Sequence, residues 1–166
     1  MGIAGGWCKP KLPFYPGEWI ESNYGALAIE SHPRSPGYVD WVFGAGMVIR
    51  KNVFVELQSR GIEMLLVGRK GSKQTSGDDA ELCQLTRFLD YKVYYCPDLV
   101  LDHCISPARL TKWNFIQANY RNVFMIVYFY IMQHEVNQSK ISPKEIFVTF
   151  MRSRFYYLFY FFPRMF

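Results

Sequence analysis

The sequence predicts a mixed α/β fold with a small, partly antiparallel sheet and helical C-terminal segments. Three observations predict it. Alternating, strand-like runs such as Val39 to Phe43, Met47 to Arg50 and Lys92 to Cys96 are separated by stretches with helical spacing of apolar residues. Turns carrying glycine divide the two kinds of segment. Beyond Thr111 the pattern is helical almost to the end.

Residues Gly5 to Pro36 are rich in Gly, Pro and Trp with little periodicity, so they read as irregular chain with one short helix around Ala26 to Glu30. The two extended runs that follow flank Gly44-Ala45-Gly46, where small residues let a ligand or another backbone approach closely. Asn52 is placed to cap a helix reaching about Arg60, with Val53, Phe54 and Leu57 on its apolar face and Gly61 as its stop. The polar segment Gly68 to Gly77 reads as a surface loop, either a lid or a plain solvated connector.

Ala80 to Asp90 carries Leu82, Leu85, Phe88 and Leu89 at helical spacing, and Leu99 to Leu101 extends the strand that follows. Thr111 to about Gln133 reads as a helix. Ser142-Pro143-Lys144-Glu145 reads as a capping box with proline at the first helical position, opening a helix through about Arg154.

Chemistry concentrates where the polar loop meets the helix, at Gly77-Asp78-Asp79-Ala80-Glu81. Asp78 with Glu81 has the spacing of a capping box, which leaves Asp79 free in the first turn. The helix dipole and unpaired amides favour a charged Asp79 while Asp78 opposes it, so Asp79 is expected to be ionised at neutral pH and able to act as a general base. Both residues also have a purely structural reading as helix caps.

Composition narrows the field. A hydrophobic share of 50% over 166 residues supports a real core and argues against disorder. The formal charge of +5 comes without a dense Lys/Arg run or an RNA-binding signature, which argues against nucleic acid as partner. Cys8, Cys83, Cys96 and Cys104 are far apart with no CxxC pair, so a reduced, intracellular setting fits and a zinc site does not. Met1 to Gly6 shows no secretory signal, and the apolar run Val123 to Met132 is shorter than the roughly 20 residues that span a bilayer.

The ordered set Trp41-Val42-Phe43-Gly44-Ala45-Gly46-Met47, a helix, GRKG, GDDAEL, a helix, Tyr91-Lys92-Val93-Tyr94-Tyr95, His103 and Arg109-Leu110-Thr111 resembles the C-terminal half of family 2 glycosyltransferases of the GT-A fold. The likeness is to bacterial members that build surface polysaccharides, and it covers roughly residues 5–121. It implies an α/β, nucleotide-diphospho-sugar transferase fold and an inverting transfer. The acceptor would be a saccharide or a lipid-linked one, and Asp79 the base. Asp78 stands where the family usually has Glu. The resemblance further implies that Gly44, Ala45 and Gly46 border the sugar site and that His103 helps hold a divalent cation, Mg or Mn. It also implies that Arg109 faces phosphates or acceptor; Trp41 is a candidate sugar platform, with core packing as its plainer reading.

The family's Asp-x-Asp, which binds the metal-borne sugar diphosphate, occurs nowhere in this sequence. The chain therefore reads as an N-terminally truncated enzyme, explained either by a broken reading frame or by a partner or oligomer supplying the missing half. Its unpaired sheet edges would favour self-association. Residues 122–166 read as an aromatic, basic helical tail, with Val123 to Met132 and Phe155 to Phe162 flanked by Arg121, Arg152, Arg154 and Arg164. Such blocks suit either the interface of an anionic membrane or packing on the preceding domain. The expected location is cytoplasmic, at the inner membrane face if the tail binds lipid. A non-catalytic interaction or membrane-associated fragment is the alternative function.

Overall fold

In the computed structural model, residues 1–66, 68–70, 73–74, 76–136 and 140–156 are described. They form a mixed α/β structure. Strands are β1 (Ile3–Lys11), β2 (Gly37–Val39), β3 (Val48–Ile49), β4 (Arg69–Lys70), β5 (Lys73–Gln74) and β6 (Val93–Cys104). Helices are α1 (Lys51–Ser59), α2 (Asp78–Phe88), α3 (Lys112–Val136) and α4 (Pro143–Tyr156), with 3-10 segments at Glu18–Leu27 and Pro107–Arg109.

The main sheet has the order β2-β6-β1-β3. Its long central pair, β1 and β6, is parallel, while β2 and β3 add short antiparallel edges. The presence of β1 corrects the expectation of irregular chain before Pro36. Its glycines and Pro10 obscure a strand by local criteria, yet two of those glycines are what let it pair. A Cβ on Gly6 would lie 1.9 Å from the Leu99 carbonyl oxygen, and one on Gly5 would lie 2.7 Å from Val42. Gly6 pairs with Cys96 and Trp7 with Val100, so Pro97, Asp98 and Leu99 bulge out of register and press Leu99 onto Gly6. Beyond the bulge the sheet narrows to the β1–β6 pair.

One core lies between the sheet and helices α1 and α2. It contains Ile3, Val42, Val53, Leu57, Leu82, Cys83, Leu85, Leu89, Val93 and Tyr95. A second gathers Ile20, Leu27 and Ile29 with Ile105, Leu110 and Phe115, where Trp19 meets Phe115 edge-on at 5.1 Å. Here the short helix expected at Ala26 to Glu30 is instead the 3-10 segment ending at Leu27, closed by Ala28 in the left-handed conformation. Phe54, expected inside, is exposed, and no side chain caps α1, whose first residue is Lys51 ahead of Asn52.

The described part of the Gly68 to Gly77 segment is a two-stranded hairpin of β4 and β5. It is framed by Gly68 and Gly77, both buried at positive φ. The helix α3 runs through residue 121 without a break, and its Met125, Tyr128 and Met132 pack toward α2 and the main core. Ser142 and Glu145 form the expected capping box of α4: the Ser142 amide donates to Glu145 Oε2 at 2.8 Å and the Glu145 amide to Ser142 Oγ at 3.2 Å. Of the aromatic block Phe155 to Phe162, residues 157–162 lie outside the described residues, as does Arg164.

Candidate functional site

Asp79 occupies the first turn of α2, and the Gly44 turn comes to it from the other side. Gly44 donates its amide to Asp79 Oδ2 at 3.0 Å, and Ala80 donates its amide to Oδ1 at 2.9 Å. A Cβ on Gly44 would sit 3.2 Å from the Asp79 Cβ, so glycine is what allows this approach. Ala45 turns its carbonyl to the Cys8 thiol at 3.4 Å, and Gly46, at positive φ, lies against Leu101. Thus Asp79 and the Gly44-Ala45-Gly46 turn, singled out separately in the sequence, form one place in the fold, over the paired strands β1 and β6.

The electrostatics there are set by more than the helix end. Burial raises the Asp79 carboxyl above its ordinary value, the Gly44 and Ala80 amides pull it down, and the Asp78 charge raises it; the balance is upward. Loss of water outweighs the amides. The same dry surroundings push the Cys8 and Cys83 thiols up to about 11, with Asp79 adding to both. Neither thiol is a nucleophile at neutral pH.

Asp78 and Glu81 do not form the expected capping box. Gly77, in the left-handed conformation, takes the N-cap position of α2, and the Glu81 amide donates to its carbonyl at 2.8 Å. Any Cβ on Gly77 would strike Met125, at 2.5 Å from its sulfur. Asp78 is exposed and its carboxylate lies against Gly68. Glu81 is fully buried and serves as an anchor: Leu65 and Leu66 donate their amides at 2.9 and 2.7 Å, and the Tyr128 hydroxyl donates at 2.5 Å. One carboxylate thereby ties the chain before the hairpin, the start of α2 and the middle of α3 together. The Tyr128 hydroxyl is pushed far up by burial and then by Glu81, which keeps it a donor.

Trp41 lies three residues before Gly44, is 42% exposed, and stacks edge-on against Phe43 at 4.9 Å. His103 is half-buried near the end of β6 with Nδ1 3.1 Å from the Ala28 carbonyl. A carbonyl only accepts, so Nδ1 carries the proton and a neutral ring keeps its lone pair on Nε2. That arrangement suits a metal ligand. Among the described residues, however, no three His, Cys, Asp or Glu side chains converge, so these residues alone do not make a divalent-cation site. Arg109 ends the 3-10 turn beyond β6, where its carbonyl accepts from Asn114 at 3.1 Å.

Sequence reasoning missed Glu81 as an anchor and passed over Glu30, Arg34 and Tyr95. These three meet near the Gly44 turn, and of them only Tyr95 belongs to the ordered motif set, where it stood as part of a strand. Tyr95 donates its hydroxyl to Glu30 Oε2 at 3.0 Å, and Arg34 Nε lies 2.8 Å from Glu30 Oε1. The i,i+4 spacing of Glu30 and Arg34 was a visible signal, but the chain there is not helical, and only the fold brings Tyr95 to them. Comparison with protein-family models finds no match to this chain, and neither do comparisons with curated proteins and with solved structures.

Proposed function

We propose that this chain carries the acceptor-activating part of an inverting glycosyltransferase of the GT-A type. Asp79 takes the proton from an acceptor hydroxyl as that oxygen attacks the anomeric carbon of a nucleotide-activated sugar. The bond to the diphosphate breaks and its electron pair leaves with the phosphate oxygen. The observation that carries this reading is Asp79 itself, a partly desolvated carboxylate fixed by the Gly44 and Ala80 amides beside a turn of small residues. A raised proton affinity brings a carboxylate closer to the strength a base needs near neutral pH.

Among the described residues, those singled out as site residues would give a divalent cation one ring nitrogen, from His103, and no step is assigned to a metal on them. That shortfall, with the lack of an Asp-x-Asp in the sequence, favours the second reading, a non-catalytic interaction or membrane-associated fragment. The two are separated by incubating the purified protein with UDP- and GDP-sugars, manganese and saccharide or lipid-linked acceptors, and measuring nucleotide release. Turnover that Asp79→Asn abolishes, with donor affinity nearly unchanged, is the expected outcome. Turnover retained by Asp79→Asn removes Asp79 from the mechanism, and an inactive, well-folded wild type leaves the second reading.

Peripheral attachment to the inner face of the membrane belongs to the same proposal. No helix among the described residues is long and apolar enough to cross a membrane. On α4, exposed Phe147 and Phe155 stand near exposed Lys144 and Arg152, a mixture that suits an anionic lipid surface. Cosedimentation with vesicles containing phosphatidylglycerol, weakened by salt and by Phe147→Ser, is expected. Absence of binding at low salt rejects the attachment.

A further inference from the structure

The main sheet packs α1 and α2 against one face. On that side Val39, Val93, Ile3 and Ile49, one from each strand, belong to the main core or pack on it. Successive side chains along a strand point to opposite faces, so their neighbours Tyr38, Tyr94, Ala4 and Val48 point the other way. Strand register sets these four in one row across the sheet: Tyr38 on β2 pairs with Tyr94 on β6, Tyr94 with Ala4 on β1, and Ala4 with Val48 on β3. Tyr38 is 65% and Val48 62% exposed, and Tyr94 and Ala4 are half-buried. The two tyrosine rings meet edge-on at 5.5 Å and cover one half of the row with aromatic surface. Exposed Leu99, pressed by the bulge onto Gly6, borders the row on β1. Among the described residues, the central parallel pair thus turns an apolar face to water, whereas parallel strands are ordinarily buried on both faces.

Shape and charge along this face both fit a second copy of it. Tyr38 and Tyr94 are bulky and fill the β2–β6 half, while Ala4 is small and leaves a hollow on β1 between Tyr94 and Val48. A two-fold axis between β1 and β6, directed along the strands, keeps each residue at its level and exchanges the halves. It sets Tyr94 over the partner's Ala4 and Tyr38 over the partner's Val48, large against small at both contacts. Asp40 follows β2 and Arg50 follows β3, and both are exposed. They lie level with Lys92, since the Arg50 amide donates to the Gly2 carbonyl at 2.8 Å and the Gly2 amide to the Lys92 carbonyl at 2.9 Å. The same rotation sets Asp40 against the partner's Arg50, so opposite charges meet at both rims. Asp40 also contacts Arg87 at 3.0 Å and stays largely exposed. The Lys92 ammonium lies over its own Tyr38 ring at 4.8 Å, which turns it away from the axis and from its counterpart.

We propose that the chain forms a two-fold dimer through this outer face, sheet against sheet, with the Tyr38–Tyr94 half of each copy seated on the Ala4–Val48 half of the other. Four strands about 4.8 Å apart make the row about 14 Å wide, a small contact, so the dimer is of micromolar rather than nanomolar strength. This is face-to-face stacking, distinct from edge-to-edge pairing of unpaired strands. The helix α2, which carries Asp79, packs on the opposite face, so the dimer stands independently of the transfer reading.

The test is sedimentation equilibrium of the full chain from about 1 to about 300 µM, the range in which an interface of this size assembles. A closed monomer–dimer equilibrium is expected. Tyr94→Lys and Val48→Lys each place a charge in the row, outside the core, and each should weaken the dimer about tenfold or more. Arg50→Asp should weaken it about threefold, and adding Asp40→Arg to that chain should restore it, a recovery that edge pairing does not produce. Phe147→Ser on α4 should leave association unchanged, and far-UV ellipticity shows which variants are folded. A chain that stays monomeric at about 300 µM overturns the proposal and leaves the face to a helix from another chain. Growth beyond the dimer also overturns it, because a two-fold contact closes. So does a dimer indifferent to either row substitution in a folded chain, loss of association with Phe147→Ser, or a charge swap that fails to recover what Arg50→Asp removes.

Discussion

The Glu81 anchor offers the sharpest test of the architecture. Replacing Glu81 by Ala would strip the Leu65 and Leu66 amides and the Tyr128 hydroxyl of their acceptor, a carboxylate that is itself fully buried. A buried donor left unpaired costs about 1–3 kcal/mol, so three of them set the loss on the order of 3–9 kcal/mol, a large part of the ~5–15 kcal/mol that holds a domain together. Tyr128→Phe removes one donor and leaves two to the carboxylate, for an expected loss of about 1–2 kcal/mol. Glu81→Met fills the same space without oxygens and separates the polar loss from the cavity left by Ala. Urea unfolding followed by ellipticity at unchanged m-value measures each variant, and the Glu81→Gln/Tyr128→Phe double-mutant cycle measures their coupling. A loss below about 1 kcal/mol for both Glu81→Ala and Glu81→Met would refute the anchor, as would strict additivity of the pair.

Two further outcomes follow from the sheet and from Asp79. A Gly6→Ala chain must move the Leu99 backbone or break the pairing, because its new Cβ would fall 1.9 Å from the Leu99 oxygen; a loss of about 3 kcal/mol or more, read as a lower urea midpoint, is expected, and near wild-type stability would disprove that contact. The proton on Asp79 is retained to higher pH than in a free aspartate, mainly through burial, so the acid limb of kcat/KM for transfer should lie above the ordinary aspartate range. Because the folded value is raised, Asp79 contributes stability below its unfolded pKa, and this is lost as pH rises through the folded one; a limb at or below the ordinary value would show that burial does not govern this group.

Local pattern was enough to place α1 to α4, though not the cap of α1 or the short helix expected at Ala26 to Glu30. The apolar spacing along α2 and α3 and the Ser142–Glu145 box of α4 act between residues a turn apart, and the observed helices fall within a few residues of those expected. The same holds for the meeting of a glycine-bearing loop with Asp79 at a helix start. The larger failures depended on partners far along the chain. The strand β1 hides behind glycines that only Leu99 and Val42 explain, and Glu81 looks like a cap until Tyr128 and the Leu65 and Leu66 amides close over it.

By itself, then, the sequence determined the mixed α/β class, the helix spans and the junction where Asp79 stands. Tertiary structure alone decided that the central strands run parallel, that the Gly44 amide reaches Asp79, and that Arg34, Glu30 and Tyr95 gather beside it. It also decided the direction in which Asp79 titrates. The physical reason is common to all of these. Pairing, desolvation and long-range hydrogen bonding are set by which segments exclude water from one another, and residues separated along the chain carry no local mark of that.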